Sequence, residues 1–493
     1  MPYLLGYDLG SSSIKATLLK VENGEATASV THPKQEMPMI SRKRGWAEQK
    51  PEMWWENICH ATRELMHYAR IQKEEVLAIG ISYQMHGLVV VDRDYNVLRP
   101  SIIWCDSRAV ELGKKAFKEL GEEYCLSNLL NSPGNFTASK LRWIKEQEPE
   151  VFDKIFKAML PGDYIAMRLT GEINTTISGL SEGIFWNYLN QAPDDRLLGY
   201  YGIDTSMLPE ITPTFGVQGT LSAKAAEQLG LKQGTPVAYR AGDQPNNAFS
   251  LNVLRPGQIA ATAGTSGVVY GILESPTYDR RSRVNTFVHV NHKADSPKYG
   301  VLLCVNGTGI LNSWMKNQLA GSKMSYDDMN ELAAEAPIGS DGLSFLPFGN
   351  GAERILENHD INARIHGLNF NRHQFKHLLR AGQEGIVFAL NYGFDVMRQM
   401  GMELQIVRAG KANMFLSPVF REAFCNLTGA VIELCNTDGS QGAARGAGVG
   451  AGIYRDFEEA FRGLRTIESI SPNPQLMGAY EDAYHQWLNC LKH

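Results

Sequence analysis

The stretch Tyr3-Leu4-Leu5-Gly6-Tyr7-Asp8-Leu9-Gly10-Ser11-Ser12-Ser13-Ile14-Lys15-Ala16-Thr17-Leu18-Leu19 decides the fold class. Two apolar runs, Tyr3–Tyr7 and Ile14–Leu19, flank a tight polar turn, which is the pattern of a β-hairpin. A dinucleotide-binding or Walker-type loop passes into a helix instead, and the β-branched residues after Ser13 oppose that. Far down the chain, Gln258–Leu273 repeats the plan, with Gly264-Thr265-Ser266 standing where Gly10-Ser11-Ser12 stood. Two such hairpins, each opening one half of the chain, suggest an internal duplication; two polar hairpins also coincide by chance in α/β proteins.

Length agrees with two halves. A chain of 493 residues exceeds one ordinary core. Apolar runs alternate with amphipathic helical stretches throughout, so the class is α/β. The strand Val237–Ala241, the polar segment from Asp243 and the turn Arg255-Pro256-Gly257 place the boundary near 243–255. The expected domains are therefore 1–248 and 249–493. Tyr480, Tyr484, Trp487 and Leu491 share one face of a final helix, which reads as core packing.

Composition excludes several classes. Lys and Arg number 48 against 53 Asp and Glu, without the basic footprint of a nucleic-acid binder. No run approaches the apolar length of a membrane span, and the start lacks the pattern of a secretory signal. The seven cysteines (Cys59, Cys105, Cys125, Cys304, Cys425, Cys435 and Cys490) are scattered and never spaced CxxC. Reduced thiols in a cytoplasmic protein are expected.

Some residues suit phosphoryl transfer, which needs donors for phosphates, a metal to neutralise them and a carboxylate to take the acceptor's proton. Backbone N–H groups in the two Gly/Ser turns point into a common concavity and suit phosphate. Asp8, beside the first turn, could hold Mg²⁺ through water; capping the turn is the plainer role. Asp243, at the end of an apolar strand in Ala241-Gly242-Asp243-Gln244, could be a base; helix capping is its alternative. Gln84-Met85-His86-Gly87 and Trp104-Cys105-Asp106-Ser107-Arg108 are polar clusters between apolar strands, which reads as a buried network or a sugar site.

These segments together resemble the FGGY carbohydrate kinase family, over nearly the whole chain and in the family's order. The first half carries Gly6–Ser13, Gly45-Trp46-Ala47-Glu48-Gln49, Gln84–Gly87, Trp104–Arg108 and Leu160-Pro161-Gly162-Asp163-Tyr164. The second carries Ala263-Gly264-Thr265-Ser266-Gly267, Gly351-Ala352-Glu353-Arg354, Glu384-Gly385 and Gly442-Ala443-Ala444. The resemblance implies two actin-like, RNase-H-like ATPase domains with a cleft between them. It implies ATP and Mg²⁺ as cofactors, Asp243 as proton acceptor, and Asp8 assisting the metal through water. It further implies sugar contacts at Met85, His86, Gln244, Trp104 and Asp106. Phosphate contacts fall at Gly10, Ser11, Ser12, Gly264 and Thr265, and adenosine contacts at Gly410 and Asn413.

Within the family, Gln-Met-His-Gly followed by Trp-x-Asp-x-Arg is similar to members that act on D-xylulose. The partner expected is thus a small sugar, without nucleic acid or membrane, and a homodimer is compatible with it. Gluconate, ribulose or a polyol is the alternative substrate, and a non-catalytic sugar sensor the alternative class. Three departures bear on the sugar and nucleotide. Gln244 replaces the family's usual Asn, Arg408-Ala409-Gly410 replaces three glycines, and Ser178-Gly179-Leu180 replaces a Ser-Asp element.

Overall fold

The computed structural model describes residues 1–320 and 324–492, which form two compact units. The opening hairpin is the spine of the first. Strands β1 (Tyr3–Leu9) and β2 (Ile14–Lys20) pair antiparallel, and β3 (Ala26–His32) pairs antiparallel with β2. On the other side of β1, β4 (Val76–Tyr83) runs parallel to it, and β5 (Val237–Gly242) runs parallel to β4. Leu4, Leu5, Leu9, Ile14, Leu18 and Ile79 have no exposed surface, because both faces of the sheet are covered. The helix Pro51–Ala69 covers one face with Trp54, Ile58, Ala61 and Leu65, spaced at helical intervals.

The second unit builds the same plan. Strand β6 (Gly257–Ala263) pairs antiparallel with β7 (Gly267–Leu273), and β9 (Leu404–Gly410) runs parallel to β6. Strand β8 (Tyr299–Val305) neighbours β7; β10 (Val431–Cys435) runs parallel to β9, and β11 (Thr466–Ile470) antiparallel to β10. The order β3-β2-β1-β4-β5 thus recurs as β8-β7-β6-β9-β10. Helix Phe375–Gln399 lies between β8 and β9 in the chain, as Pro51–Ala69 lies between β3 and β4. The final helix, Pro474–Lys492, buries Tyr480, Tyr484 and Trp487, with Leu491 packed against the same core. The molecule therefore has two actin-like α/β domains, and its repeated topology matches the repeat seen in the hairpins.

The units are not two contiguous halves. The chain passes from the first to the second between Asn252 and Val253, and Thr437–Leu464 belongs with the first. That segment contains the helix Gly439–Gly450, composed mostly of glycine and alanine, which lies on β1, β4 and β5. With so few side chains it carries no amphipathic period, so sequence patterning gives no hint of its partner. Its approach is set by Gly6 and Gly80, which face each other across the β1–β4 ladder. A Cβ on Gly6 would overlap the carbonyl oxygen of Ser440, and one on Gly80 the carbonyl of Ala443. Backbone therefore meets backbone, which only glycine permits. Gly80→Ala is expected to destabilise the protein by about 1–3 kcal/mol, the usual cost of an intruding methyl. Urea denaturation followed by tryptophan fluorescence measures it.

Candidate active site

Side-chain alternation along β1 places Asp8 on the same face as Gly6, toward the glycine-rich helix. Register sets it between Lys15 of β2 and Ser82 of β4. The Ser82 hydroxyl donates to Asp8 Oδ1 at 2.8 Å, while Oδ2 occupies the space where Gly439 lacks a side chain. Burial pushes the Asp8 carboxyl upward, the Ser82 bond opposes this, and the charge on Asp438 adds to the rise. Asp438 caps the helix by accepting from the Gln441 N–H at 3.0 Å, and it pairs with Lys15 at 2.6 Å. Burial would raise its pKa as well, but the Lys15 ammonium and the cap bonds outweigh that and leave it lowered.

Asp243 is the first residue of the helix Asp243–Ser250, and Gly242 holds the capping position, so the carboxyl is not the helix cap. Desolvation, followed by the negative charge of Asp8, pushes its pKa from the ordinary range to about 7. The backbone and side-chain N–H groups of Gln244 pull the other way. Two carboxyls at the ends of β1 and β5 thus share one electrostatic environment. The same glycine-rich helix supports both, since Asn246 of the Asp243 helix donates to the Gly439 carbonyl at 2.8 Å.

Met85 and His86 follow β4. A Cβ on Gly242 would press on Met85, which puts the thioether beside the residue preceding Asp243. His86 has φ 60°, an uncommon conformation for a residue with a side chain. Its Nδ1 lies 2.9 Å from the Glu182 carbonyl oxygen; a carbonyl only accepts, so Nδ1 carries the hydrogen. The His86 carbonyl accepts from Lys140 at 2.8 Å. Burial holds the Lys140 ammonium down at about 8. Burial also drives the Glu182 carboxyl well up, and the charges of Asp243 and Asp163 reinforce it. Glu182 and Lys140 were not anticipated. Glu182 follows the stretch where the family's Ser-Asp element is missing, and that departure was the available signal.

Trp104 is half exposed and its indole N–H donates to Ser11 Oγ at 3.3 Å. The turn itself closes with the Gly10 N–H donating to the Ser13 carbonyl, and the Gln49 amide donates to the Ser11 carbonyl at 2.7 Å. The Gly45–Gln49 motif is therefore a brace for this turn. Ser11 and Ser12 keep exposed surface beside it. Asp106 differs from expectation. It is fully buried, accepts from the Ala47 N–H at 2.6 Å and is gripped by the Arg108 guanidinium at 2.6 Å. With its oxygens spent on those partners, it supports the Trp104 loop and is not placed to touch a sugar.

In the second unit a cavity of about 450 Å³ opens at the β6–β7 turn. Gly264, Thr265 and Asn413 line it, as do Gly309, Asn330 and Ser417. Asn413 sits at φ 54° and its side-chain amide packs against Gly264. Gly410 ends β9 and is not among the lining residues, although its carbonyl accepts from Ala412 just before Asn413. The Thr308-Gly309 segment was missed. Its signal was Asn306-Gly307-Thr308-Gly309, a turn sequence between the strand β8 and a helix.

Residues 3–250 match the N-terminal domain of the FGGY family of carbohydrate kinases, and residues 259–453 match its C-terminal domain. The chain belongs to the FGGY family of carbohydrate kinases. A xylulose kinase of Bacillus subtilis is 29% identical over 100% of this chain and 97% of its own length. The crystal structure of a xylulose kinase from Rhodospirillum rubrum superimposes with a TM-score of 0.88 at 26% identity, covering 99% of this chain and 98% of that one. A gluconate kinase from Lactobacillus acidophilus reaches 0.91 at 24% identity, covering 100% of this chain and 98% of that one, and so shares the fold. No helix among the described residues is long and apolar enough to cross a membrane.

The electrostatic link between the carboxyls is testable without substrate. The Asp243 carboxyl, followed by carbon NMR, is expected to titrate near pH 7. Asp8→Asn removes the neighbouring negative charge, so the Asp243 midpoint is expected to move down, toward the ordinary carboxylate range.

Proposed function

We propose that this enzyme transfers the γ-phosphoryl group of ATP to D-xylulose, giving ADP and D-xylulose 5-phosphate. The observation that carries the reading is Asp243, a carboxyl at the C-terminal edge of the sheet whose proton affinity lies near neutrality. A general base works best when its pKa is close to the working pH. Asp243 accepts the proton of the sugar's terminal hydroxyl while that oxygen bonds to the γ-phosphorus. The bond from phosphorus to the β–γ bridging oxygen breaks, and ADP carries away the electron pair. In the second unit, backbone N–H groups of the Gly264–Ser266 turn hold phosphate oxygens and the 450 Å³ cavity with Asn413 takes the adenosine. In the first unit, the Gly10–Ser13 turn beside Asp8 offers the Ser11 and Ser12 groups to phosphate.

No group of three or more His, Cys, Asp or Glu among the described residues forms a metal site. A Mg²⁺ ion fits this donor set, because it commonly keeps several waters and takes one or two carboxylates plus substrate phosphates. Asp8 would hold it through water, and the ion would supply neutralisation of the phosphate charge.

On the sugar side, Met85 offers an apolar surface and His86 a polar ring of fixed tautomer, with Trp104 beside the first turn. Xylulose as acceptor is supported by the named relatives and by the Met85-His86 and Trp104–Arg108 pattern. Reduced thiols and the carbohydrate substrate are in keeping with a cytoplasmic enzyme.

An ATP-consumption assay over D-xylulose, D-ribulose, D-gluconate, glycerol and xylitol tests the substrate. Fast turnover is expected with D-xylulose; turnover confined to another acceptor overturns the sugar while leaving a kinase. Asp243→Asn keeps the size and removes the proton acceptor, so kcat is expected to fall about 10²–10⁴-fold with little change in sugar affinity. Gln244 touches Asp243, and Gln244→Asn is expected to change the ranking of acceptors while the KM for ATP stays nearly constant. Equal losses on every acceptor would assign Gln244 a purely structural role.

A further inference from the structure

The second phosphate turn has a support of its own, and it begins at a buried acid. Glu353 has no exposed surface. Its Oε2 accepts from the Asn306 backbone N–H at 2.9 Å and its Oε1 from that of Gly307 at 3.0 Å. Those two residues lead into Thr308 and Gly309. The Gly309 N–H donates to the Gly264 carbonyl at 2.8 Å, and the Ile310 N–H to the Thr265 carbonyl at 3.1 Å. The turn is pressed from both sides. A Cβ on Gly307 would overlap the Pro347 carbonyl, and one on Gly309 the Gly264 carbonyl. The Thr308 hydroxyl, bonded to the Val305 carbonyl at 2.9 Å, packs against Gly267 at the far side of the same hairpin. A second path runs through Cys304, whose thiol lies by Glu353 and contacts the Ser266 hydroxyl.

We propose that Glu353 is a positioning residue for nucleotide binding, which fixes the Asn306–Gly309 turn and through it the Gly264–Thr265 end of the cavity. The inference rests on reading that cavity as the nucleotide site. Glu353 is not among the residues lining the cavity; it acts by holding two backbone N–H groups that would otherwise be buried without acceptors. Only a carboxylate meets both. An amide in its place keeps one acceptor and turns a donor toward the other N–H, so the turn loses its anchor at one point. Burial raises the acid to about 7, and the two backbone bonds work against that rise by favouring the carboxylate. Nothing in this chain of contacts involves Asp8, Asp243, Met85 or His86, so its loss should register on nucleotide alone.

The full-length protein serves for the test, with ADP and D-xylulose titrated separately by calorimetry and amide hydrogen exchange read at Gly309 and Ile310. Glu353→Gln is expected to weaken ADP about 5- to 20-fold, as loss of a bond to a charged acceptor implies. D-xylulose affinity should stay within about twofold, and exchange at Gly309 and Ile310 should quicken. In turnover, the KM for ATP rises while the KM for sugar does not. Asn306→Ala removes the side-chain bond from Asn306 to the Ala352 carbonyl, a milder cut at the same joint, and carries the test if the first variant does not fold. Its expected loss in ADP affinity is about 2- to 5-fold. If the wild type binds ADP and the folded variants bind it within twofold of wild type, the positioning role is wrong. If the wild type does not bind ADP, the nucleotide reading of the cavity fails, and the exchange data alone then decide whether Glu353 braces the turn.

Discussion

Backbone-to-backbone contact between a glycine-rich helix and the first sheet is the constraint on which the candidate site depends. The helix Gly439–Gly450 rests on Gly6 and Gly80 without intervening side chains, so its carbonyls come as near the strands as chemistry allows. Three consequences follow from that one approach. Asp8 is held with one oxygen against Gly439 and the other on Ser82. Asp438, at the head of the helix, is drawn to Lys15 on the neighbouring strand. The helix that begins with Asp243 is tied to the Gly439 carbonyl through Asn246. A single element of small residues therefore sets the spacing between the acid beside the Gly10–Ser13 turn and the proposed base.

That spacing has an electrostatic meaning. Partial burial alone raises a carboxyl, but the charge of Asp8 adds to the rise at Asp243 and brings it near neutrality. The cation beside Asp8, Lys15, is already engaged with Asp438. No cation among the described residues acts on Asp243 to return it to an ordinary carboxylate; the opposing pull comes from Gln244. The site resembles other acid–base centres in which like charges are kept close by structure elsewhere.

Much of this was legible in the residues, for definite reasons. The hairpins at Gly10–Ser13 and Gly264–Ser266 announce themselves because polar turns between β-branched runs have few other outcomes. Asp243 was visible as a carboxyl at a strand end, and its place at the first helical position, after Gly242, required the backbone. Asp106 misled because a motif aspartate beside Trp104 looks like a ligand contact; only the three-dimensional neighbours reveal that Ala47 and Arg108 consume it. Glu182, Lys140 and Glu353 are long-range partners, and no local period marks which distant backbone group a buried charge will meet. The return of Thr437–Leu464 to the first unit was hidden for the opposite reason, since glycine and alanine carry almost no pattern at all.

That return bears on how the protein is made. Lys15 and Asp438 are 423 positions apart, yet they pair where the head of the helix meets β2. While the chain is being synthesised, β1, β2 and β4 emerge early, but the helix that covers their second face is among the last segments to leave the ribosome. Until then the nascent sheet shows a strip of bare backbone around Gly6 and Gly80, with buried-type apolar neighbours and nothing over them. An N-terminal fragment ending near the family's own domain boundary would keep that strip permanently open. Closure of such distant contacts is slow, and exposed strands invite association while they wait. The first unit is thus begun first, yet it stays open until most of the second has been made.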